Sequence, residues 1–389
     1  METLLESPPL QEQSAPRARK PLESEVTIDL KNPHRPLSYR VVRALKGSRP
    51  LDLEALRYAE ELDPVTRGHA EFLIECVEET AALNGFGRMM FENFVKEALL
   101  NRHQIAERSK GRTFRAIKAP LVILGLPRSG STFLFNLLGA TQRFRTLRNW
   151  ETHKVASRRP VLFKKMEAAF LLKALHHFTP RLITLHEQRL EGPEECSKPL
   201  LNAFVSQMFP GLFHIPRYNE FLETADYLPT YELYRQQLQI LGDHGKRWLL
   251  KSPLHVQSLD SLLEVFPEAR FINLVRNFDE VLGSTCSISA AFRCLTSDSI
   301  DGKEIGHEVR KFLARDLAKA RTILEAHPEK VLDIHYKDFV SQPVQTARRI
   351  FEFGGCDYTE DDEQAIRAEM QVSVPNKFGK HVYRMEDYF

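Results

Sequence analysis

Apolar residues recur along this chain at two different spacings. From Tyr39 to about Arg115, the segments LDLEALRYAEEL, FLIECVEETAALNG and GRMMFENFVKEALLNRHQIAER place them three and four apart, as on one face of a helix. Asp63-Pro64 and Asn84-Gly85 punctuate this stretch, and Lys110-Gly111-Arg112 reads as the hinge that ends it. Beyond the hinge, the apolar run LVIL (121–124) reads as a buried strand, and RWLLK (247–251), RFINLV (270–275) and KVLDIHY (330–336) are further strand candidates. Helical patterns separate them: YELYRQQLQILGDHG, VQSLDSLLEVF and the stretch from Glu304 to Glu325. Strands alternating with helices predict an α/β fold of three layers, with a central parallel sheet flanked by helices. The expected division is a disordered tail over 1–35, rich in Pro, Ser, Glu and Arg, then a helical lead-in over 36–115 packed on the core, then one domain over 116–389.

In a sheet of this kind, ligands bind beyond the carboxyl ends of the strands, and the polar residues of this chain gather there. Leu121 to Leu124 runs into Gly125-Leu126-Pro127-Arg128-Ser129-Gly130-Ser131-Thr132, and a helical pattern (Phe133, Leu134, Leu137, Leu138) follows at once. Strand, tight turn and helix N-terminus in that order make a P-loop-like anion cradle. Successive backbone N–H groups and the positive end of the helix dipole point at one spot. Gly130 removes a Cβ, Ser129, Ser131 and Thr132 bring hydroxyl donors, and Arg128 brings a rigid cationic fork. Gly125 and Gly130 have the spacing of a nucleoside-triphosphatase loop, but Ser131 stands where that loop carries lysine. The cradle therefore suits a 5′-phosphate bearing one further anionic group better than a triphosphate with magnesium. An ordinary strand-to-helix turn rich in small residues is the plain alternative. Two more strand exits are basic: Lys251-Ser252-Pro253 and Arg276-Asn277.

Composition narrows the field. Net charge is only +2, so no global basic field argues for a nucleic-acid partner. The five cysteines (Cys76, Cys196, Cys286, Cys294, Cys356) are scattered without CxxC spacing, which points away from a disulfide framework or zinc site and toward a reducing, cytoplasmic setting. No apolar run reaches the length of a membrane span, and no secretory leader is expected. No cluster with metal-ligand spacing is apparent, so no metal is expected.

Together these segments resemble the sulfotransferases that use 3′-phosphoadenylyl sulfate (PAPS), in particular the bacterial small-molecule branch related to protein-tyrosine sulfotransferases. The resemblance covers about residues 50 to 389. LPRSGST is similar to the family's 5′-phosphosulfate loop, with Arg128 as its cation. RFINLVRNFDEVLGS resembles the 3′-phosphate element, in which an arginine and a serine eight residues later clamp the phosphate; these match Arg276 and Ser284. Between them Asp279 could cap the following helix. A small helix residue packed on a neighbour would equally explain Ser284 alone. RWLLKSPLH resembles the lysine-bearing strand end that meets the sulfuryl group, which gives that role to Lys251, otherwise a surface lysine capping a strand. VLDIHYKDFVSQP resembles the later Y-x-D-x-x-x-x-P element, and Tyr336 matches a residue packed beside the adenine. In the C-terminal PNKFGKHVYRMEDYF, Lys377, Gly379 and Lys380 match a basic loop that closes over the nucleotide, though a solvated tail reads the same way.

Sulfuryl transfer requires cations at the bridging and equatorial oxygens and a base for the incoming hydroxyl. The resemblance implies Arg128 and Lys251 for the first need. For the base it implies a glutamate after the loop helix, which is Glu151, 23 residues beyond Arg128; a salt-bridged structural carboxylate is the other reading. His255 and His186 are further candidates. Pro193, Glu194 and Glu195 read as a helix start, with proline first and acids in the first turn. The acceptor is expected to be a small molecule with a hydroxyl, and FLLKALHHF and LLNAFVSQMFPGLF suggest an apolar pocket wall or lid. A P-loop kinase or nucleoside triphosphatase, and a non-catalytic nucleotide-binding protein, remain the alternative functions.

Overall fold

The computed structural model describes residues 25–26, 30, 50–178, 188–373 and 380–389. His186, Lys377, Gly379 and nearly all of the expected tail lie outside them. Five parallel strands form the central sheet: β1 (Leu121–Leu124), β2 (Phe144–Arg145), β3 (Arg247–Lys251), β4 (Arg270–Val275) and β5 (Val331–His335). Their spatial order is β2-β3-β1-β4-β5, so the strand feeding the loop is the central one. All four residues of β1 are buried, as a strand covered on both faces requires.

The helices used below are α1 (Pro64–Thr80), α2 (Gly85–Ser109), α3 (Ser131–Ala140), α4 (Asn149–Thr152), α5 (Val161–Phe178), α6 (Leu228–Leu241), α7 (Phe278–Thr296), α8 (Gly302–Glu325), α9 (Pro343–Gly354) and α10 (Glu360–Val372). Alternation along the strands divides the interior in two. Leu121, Ile123, Leu249, Ile272 and Leu274 join Leu134, Leu137 and Leu138 of α3, Ile350 and Phe351 of α9 and Ile366 of α10. Val122, Leu124, Trp248, Leu250 and Phe271 join residues of α1, α2, α6, α7 and α8 on the other face. The helical lead-in thus shares an apolar cluster with the sheet. Lys251 has the parity of Leu249 and faces the α3 side, whereas Trp248 faces the other.

Asp63 caps α1, its carboxylate accepting from Thr66 N–H at 2.9 Å, and Asn84 caps α2. The expected helix over LDLEALRYAEEL is instead a series of turns with one short 3₁₀ segment, Ala59–Glu61. Tyr58 adopts φ 71° and stacks on His103 with ring centres 4.0 Å apart, while Leu53 and Ala59 are buried. Long-range contacts override a helical pattern there. The helix after β4 is capped by Asn277, whose side chain accepts from Asp279 and Glu280 N–H; Asp279 lies inside the first turn and is not the cap. The five cysteines are free, four of them buried. Among the described residues no helix is long and apolar enough to cross a membrane.

Candidate active site

The carboxyl ends of β3, β1, β4 and β5 lie along one edge of the sheet, with β4 and β5 running two residues beyond the level of Leu124. Lys251 lies opposite Ile123, and Val275 opposite His335, so Lys251, the loop after Leu124, Arg276 and Tyr336 emerge at one edge. The loop itself is bent sharply. Arg128 has φ 66° and Gly130 φ 91°, both in the left-handed region. A Cβ on Gly130 would also lie 3.0 Å from the Tyr336 ring, so glycine is required there twice over. From Ser131 the chain is helical, and the first N–H groups of α3 have no acceptor within the helix.

Hydrogen bonds tie the strand exits together. Arg276 Nη1 donates to the Arg128 carbonyl at 2.7 Å, which holds the loop in its bent form. The Arg276 guanidinium lies 4.1 Å from the centre of the Tyr336 ring and pairs with Glu280 at 2.8 Å. Lys251, fully buried, donates from Nζ to Thr132 Oγ1 at 3.1 Å and to Glu195 Oε1. Burial, and after it the charge of Arg276, pulls the Arg128 pKa down from its usual value. Ser284 is buried in α7. Ser129 Oγ is buried beneath the loop and has no hydrogen-bond partner among the described residues. An orphaned hydroxyl, unpaired helix-start N–H groups and three clustered cations are the donor set a doubly anionic nucleotide needs.

The segment before Ser197 departs from the helix start expected of it. The helix there spans Ser197–Leu201, so Glu194 and Glu195 precede it instead of forming its first turn. They belong to an extended strap. Glu194 N–H donates to the Leu147 carbonyl at 2.8 Å and Cys196 N–H to the Lys251 carbonyl at 2.9 Å. Pro193 fits against Gly139 of α3, where a Cβ would approach within 2.6 Å. Held at both ends, the strap sets the Glu195 carboxylate against Lys251, and Ser197 Oγ donates to its other oxygen at 3.1 Å. Tyr383 was not among the residues expected at the site. Its hydroxyl donates to the Glu280 carbonyl at 3.0 Å, and its ring covers Gly283 beside the Arg276 element. An aromatic residue in a basic C-terminal tail was the only signal for it.

Glu151 occupies different surroundings. Its two oxygens accept from Arg145 Nη2 and Nη1 at 2.8 and 2.9 Å, and it also accepts from Arg148 N–H at 2.9 Å, capping α4. Arg145 stacks 4.7 Å from Trp248, on the sheet face opposite Lys251. His255 is fully buried, shares a 2.7 Å hydrogen bond with Tyr231 Oη, and is held neutral by burial, with a pKa lowered to about 3. Lys380 belongs to a two-residue strand that pairs with Glu25–Val26. Among the described residues no group of His, Cys, Asp or Glu is arranged to hold a metal ion.

A sequence model described as the sulfotransferase family matches residues 120–360, the span that contains the sheet, the loop, the strap and the Arg276 element. The chain belongs to the sulfotransferase family. It is 26% identical over 251 residues to the omega-hydroxy-beta-dihydromenaquinone-9 sulfotransferase Stf3 of Mycobacterium bovis, covering 61% of this chain and 62% of that relative. The Stf3 of Mycobacterium tuberculosis matches to the same degree. This sulfotransferase-family chain therefore aligns with less than two thirds of the length of those relatives. The crystal structure of sulfotransferase STF1 from Mycobacterium tuberculosis superposes with TM-score 0.70 at 25% identity, over 83% of this chain and 88% of that one. STF9 from Mycobacterium avium superposes with TM-score 0.72 at 22% identity, over 84% and 87%, which speaks for the fold.

Proposed function

We propose that this protein transfers a sulfuryl group from PAPS to a hydroxyl of a small, partly apolar acceptor. One observation carries the reading: Arg128, Lys251 and Arg276 leave three neighbouring strands at one edge and are joined through the loop by the Arg276–Arg128 and Lys251–Thr132 hydrogen bonds. A nucleoside triphosphatase would place its cation at Ser131; here the ammonium group beside α3 comes from β3 instead. The relatives named for a hydroxylated menaquinone derivative favour an apolar alcohol as acceptor. A reducing compartment such as the cytoplasm suits the free cysteines.

PAPS supplies an activated sulfuryl group together with 3′- and 5′-phosphates. Arg276 and Ser284 are assigned to the 3′-phosphate, and Tyr336 and Tyr383 to the adenine side of the clamp. The loop N–H groups and Arg128 take the 5′-phosphate, and Lys251 takes the charge that grows on the bridging oxygen during transfer. Lys377, Gly379 and Lys380 are assigned to closure over the nucleotide. We assign the base to Glu195. Its carboxylate lies at Lys251, where the acceptor hydroxyl must arrive, whereas Glu151 is committed to Arg145 and neutral His255 is sealed in the core. The proton of the acceptor hydroxyl passes to Glu195 as its oxygen bonds to sulfur, and the phosphate oxygen leaves with the electron pair of the broken S–O bond.

Transfer of label from PAPS to an unactivated long-chain alcohol tests this reading. Glu195→Gln is expected to lower turnover on the order of a hundredfold or more while leaving nucleotide affinity near wild type. Turnover is expected to persist in EDTA. No transfer by the wild-type protein, or phosphoryl transfer from ATP that requires magnesium, would move the protein to the kinase class. Full turnover by Glu195→Gln would return the base to Glu151 or His186.

A further inference from the structure

Helix α5 is amphipathic with its polarity reversed. Its first two lysines turn inward: the Lys164 and Lys165 ammonium groups each lie 5.4 Å from the centre of the Trp150 ring, and Lys165 pairs with Glu191 at 2.5 Å. Its large apolar residues turn outward. Leu162, Met166 and Phe170, spaced four apart on one stripe, are 66%, 59% and 71% exposed, and Phe163 beside them is 59% exposed. Four large apolar side chains grouped on one helix face differ from the scattered exposed residues that any surface carries. The rim of the face is cationic. Arg158 and Arg159 are exposed at its N-terminal end, and Lys173 is exposed along it. Glu167 is the only carboxylate between 158 and 178, and Lys154 and Arg159 engage it.

We propose that α5 docks this protein on an anionic lipid surface, with Leu162, Phe163, Met166 and Phe170 entering the boundary between headgroups and acyl chains and Arg158, Arg159 and Lys173 meeting the phosphates. A second copy of this chain is a poorer occupant: a two-fold contact through this face would set the cationic rim against itself, and the carboxylates described beside it, Glu167 and Glu191, are already paired with Lys154, Arg159 and Lys165. A lipid surface answers both the apolar stripe and the cations. The position of α5 gives docking a use. Glu191, at the start of the strap that carries Glu195, is bound by Lys165 of α5 and by Trp150 Nε1 of α4 at 3.0 Å. Docking would thus bring the acceptor side of the site to a membrane that holds apolar alcohols. That use rests on the acceptor reading above; the docking itself does not.

Flotation of the full chain with phosphatidylcholine vesicles, with and without phosphatidylglycerol, tests the inference. Wild type is expected to float with the anionic vesicles and to be released by high salt. The combined Leu162→Ser, Met166→Ser, Phe170→Ser variant is expected to lose partitioning by on the order of tenfold or more. The combined Arg158→Gln, Arg159→Gln, Lys173→Gln variant is expected to lose a similar factor on anionic vesicles only. Both sets lie on the surface, and unchanged melting temperature and unchanged 3′,5′-adenosine diphosphate affinity serve as controls. Wild type that stays in the soluble fraction overturns the proposal, as does equal flotation of the serine variant. A wild-type dimer that the serine variant converts to monomer, without flotation, assigns the face to a second copy and also overturns it. Failure of nucleotide binding in every variant would instead count against the sulfotransferase reading and leave the flotation result standing.

Discussion

Glu151 pairs with a cation away from the strand exits, whereas Glu195, the proposed base, pairs with one at them. Glu151 is bidentate to Arg145, and both are buried. Removing its charge leaves a buried guanidinium without its counter-ion, which costs on the order of 3–5 kcal/mol. Glu151→Gln is therefore expected to lower the denaturant midpoint strongly; unfolding curves against wild type check this. A midpoint equal to that of wild type would contradict a structural role for Glu151. Arg128, Lys251 and Arg276 could be read from the sequence because each sits at the exit of an apolar run. For Glu151 the alternative of a structural carboxylate salt-bridged to a nearby arginine was also legible, and Arg145 is that arginine. What the sequence did not show is the pairing of β2 with β3, which sets Arg145 beside Trp248. Glu195 was hidden for a related reason: acids after a proline suggest a helix start, and only the hydrogen bonds to Leu147 and Lys251 make an extended strap of them.

The strands β1, β3, β4 and β5 were legible because each is a run of apolar residues longer than the turn signals that bound it. β2 was not, since Phe144-Arg145 is two residues long and lies among polar neighbours. The reversed polarity of α5 was also beyond reach, because periodicity gives the width of an apolar face and not the side it turns to. The loop makes a sharp prediction at this scale. Gly130→Ala meets both the φ of 91° and the Tyr336 ring at 3.0 Å, so the loop must open or Tyr336 must move. Either change disturbs the Arg276 stack on Tyr336. Calorimetry is expected to give at least a tenfold loss of 3′,5′-adenosine diphosphate affinity, on the order of 1.4 kcal/mol or more, with a smaller fall in melting temperature than Glu151→Gln produces. Unchanged affinity would mean that the loop does not hold the nucleotide.

Across the whole molecule, two buried groups give stability opposing dependences on pH. Burial lowers the His255 pKa to about 3, so between its ordinary value and about 3 the unfolded chain binds the proton and the native state does not. The stability this confers is present above about 6.5 and is lost as pH falls. Burial raises Asp316 to about 6, so between about 4 and 6 the native state binds the proton, and stability falls as pH rises. Each slope is at most about 1.4 kcal/mol per pH unit. Relative to wild type, Asp316→Asn is expected to lose stability more steeply as pH falls from 6 to 4, and His255→Gln less steeply. Urea midpoints across that range measure both, and parallel curves for the two variants would contradict the burial of these groups. The proposed activity stands or falls with the nucleotide that the three strand exits are assigned to hold. The most direct test is calorimetry of 3′,5′-adenosine diphosphate against 5′-adenosine monophosphate, on wild type and on Arg276→Ala. A charge-assisted contact to the 3′-phosphate contributes about 1.5–3 kcal/mol, so wild type is expected to prefer the diphosphate by more than tenfold and Arg276→Ala to lose that preference. Equal affinity for the two nucleotides in wild type, or a preference that survives Arg276→Ala, would contradict the sulfotransferase site described here.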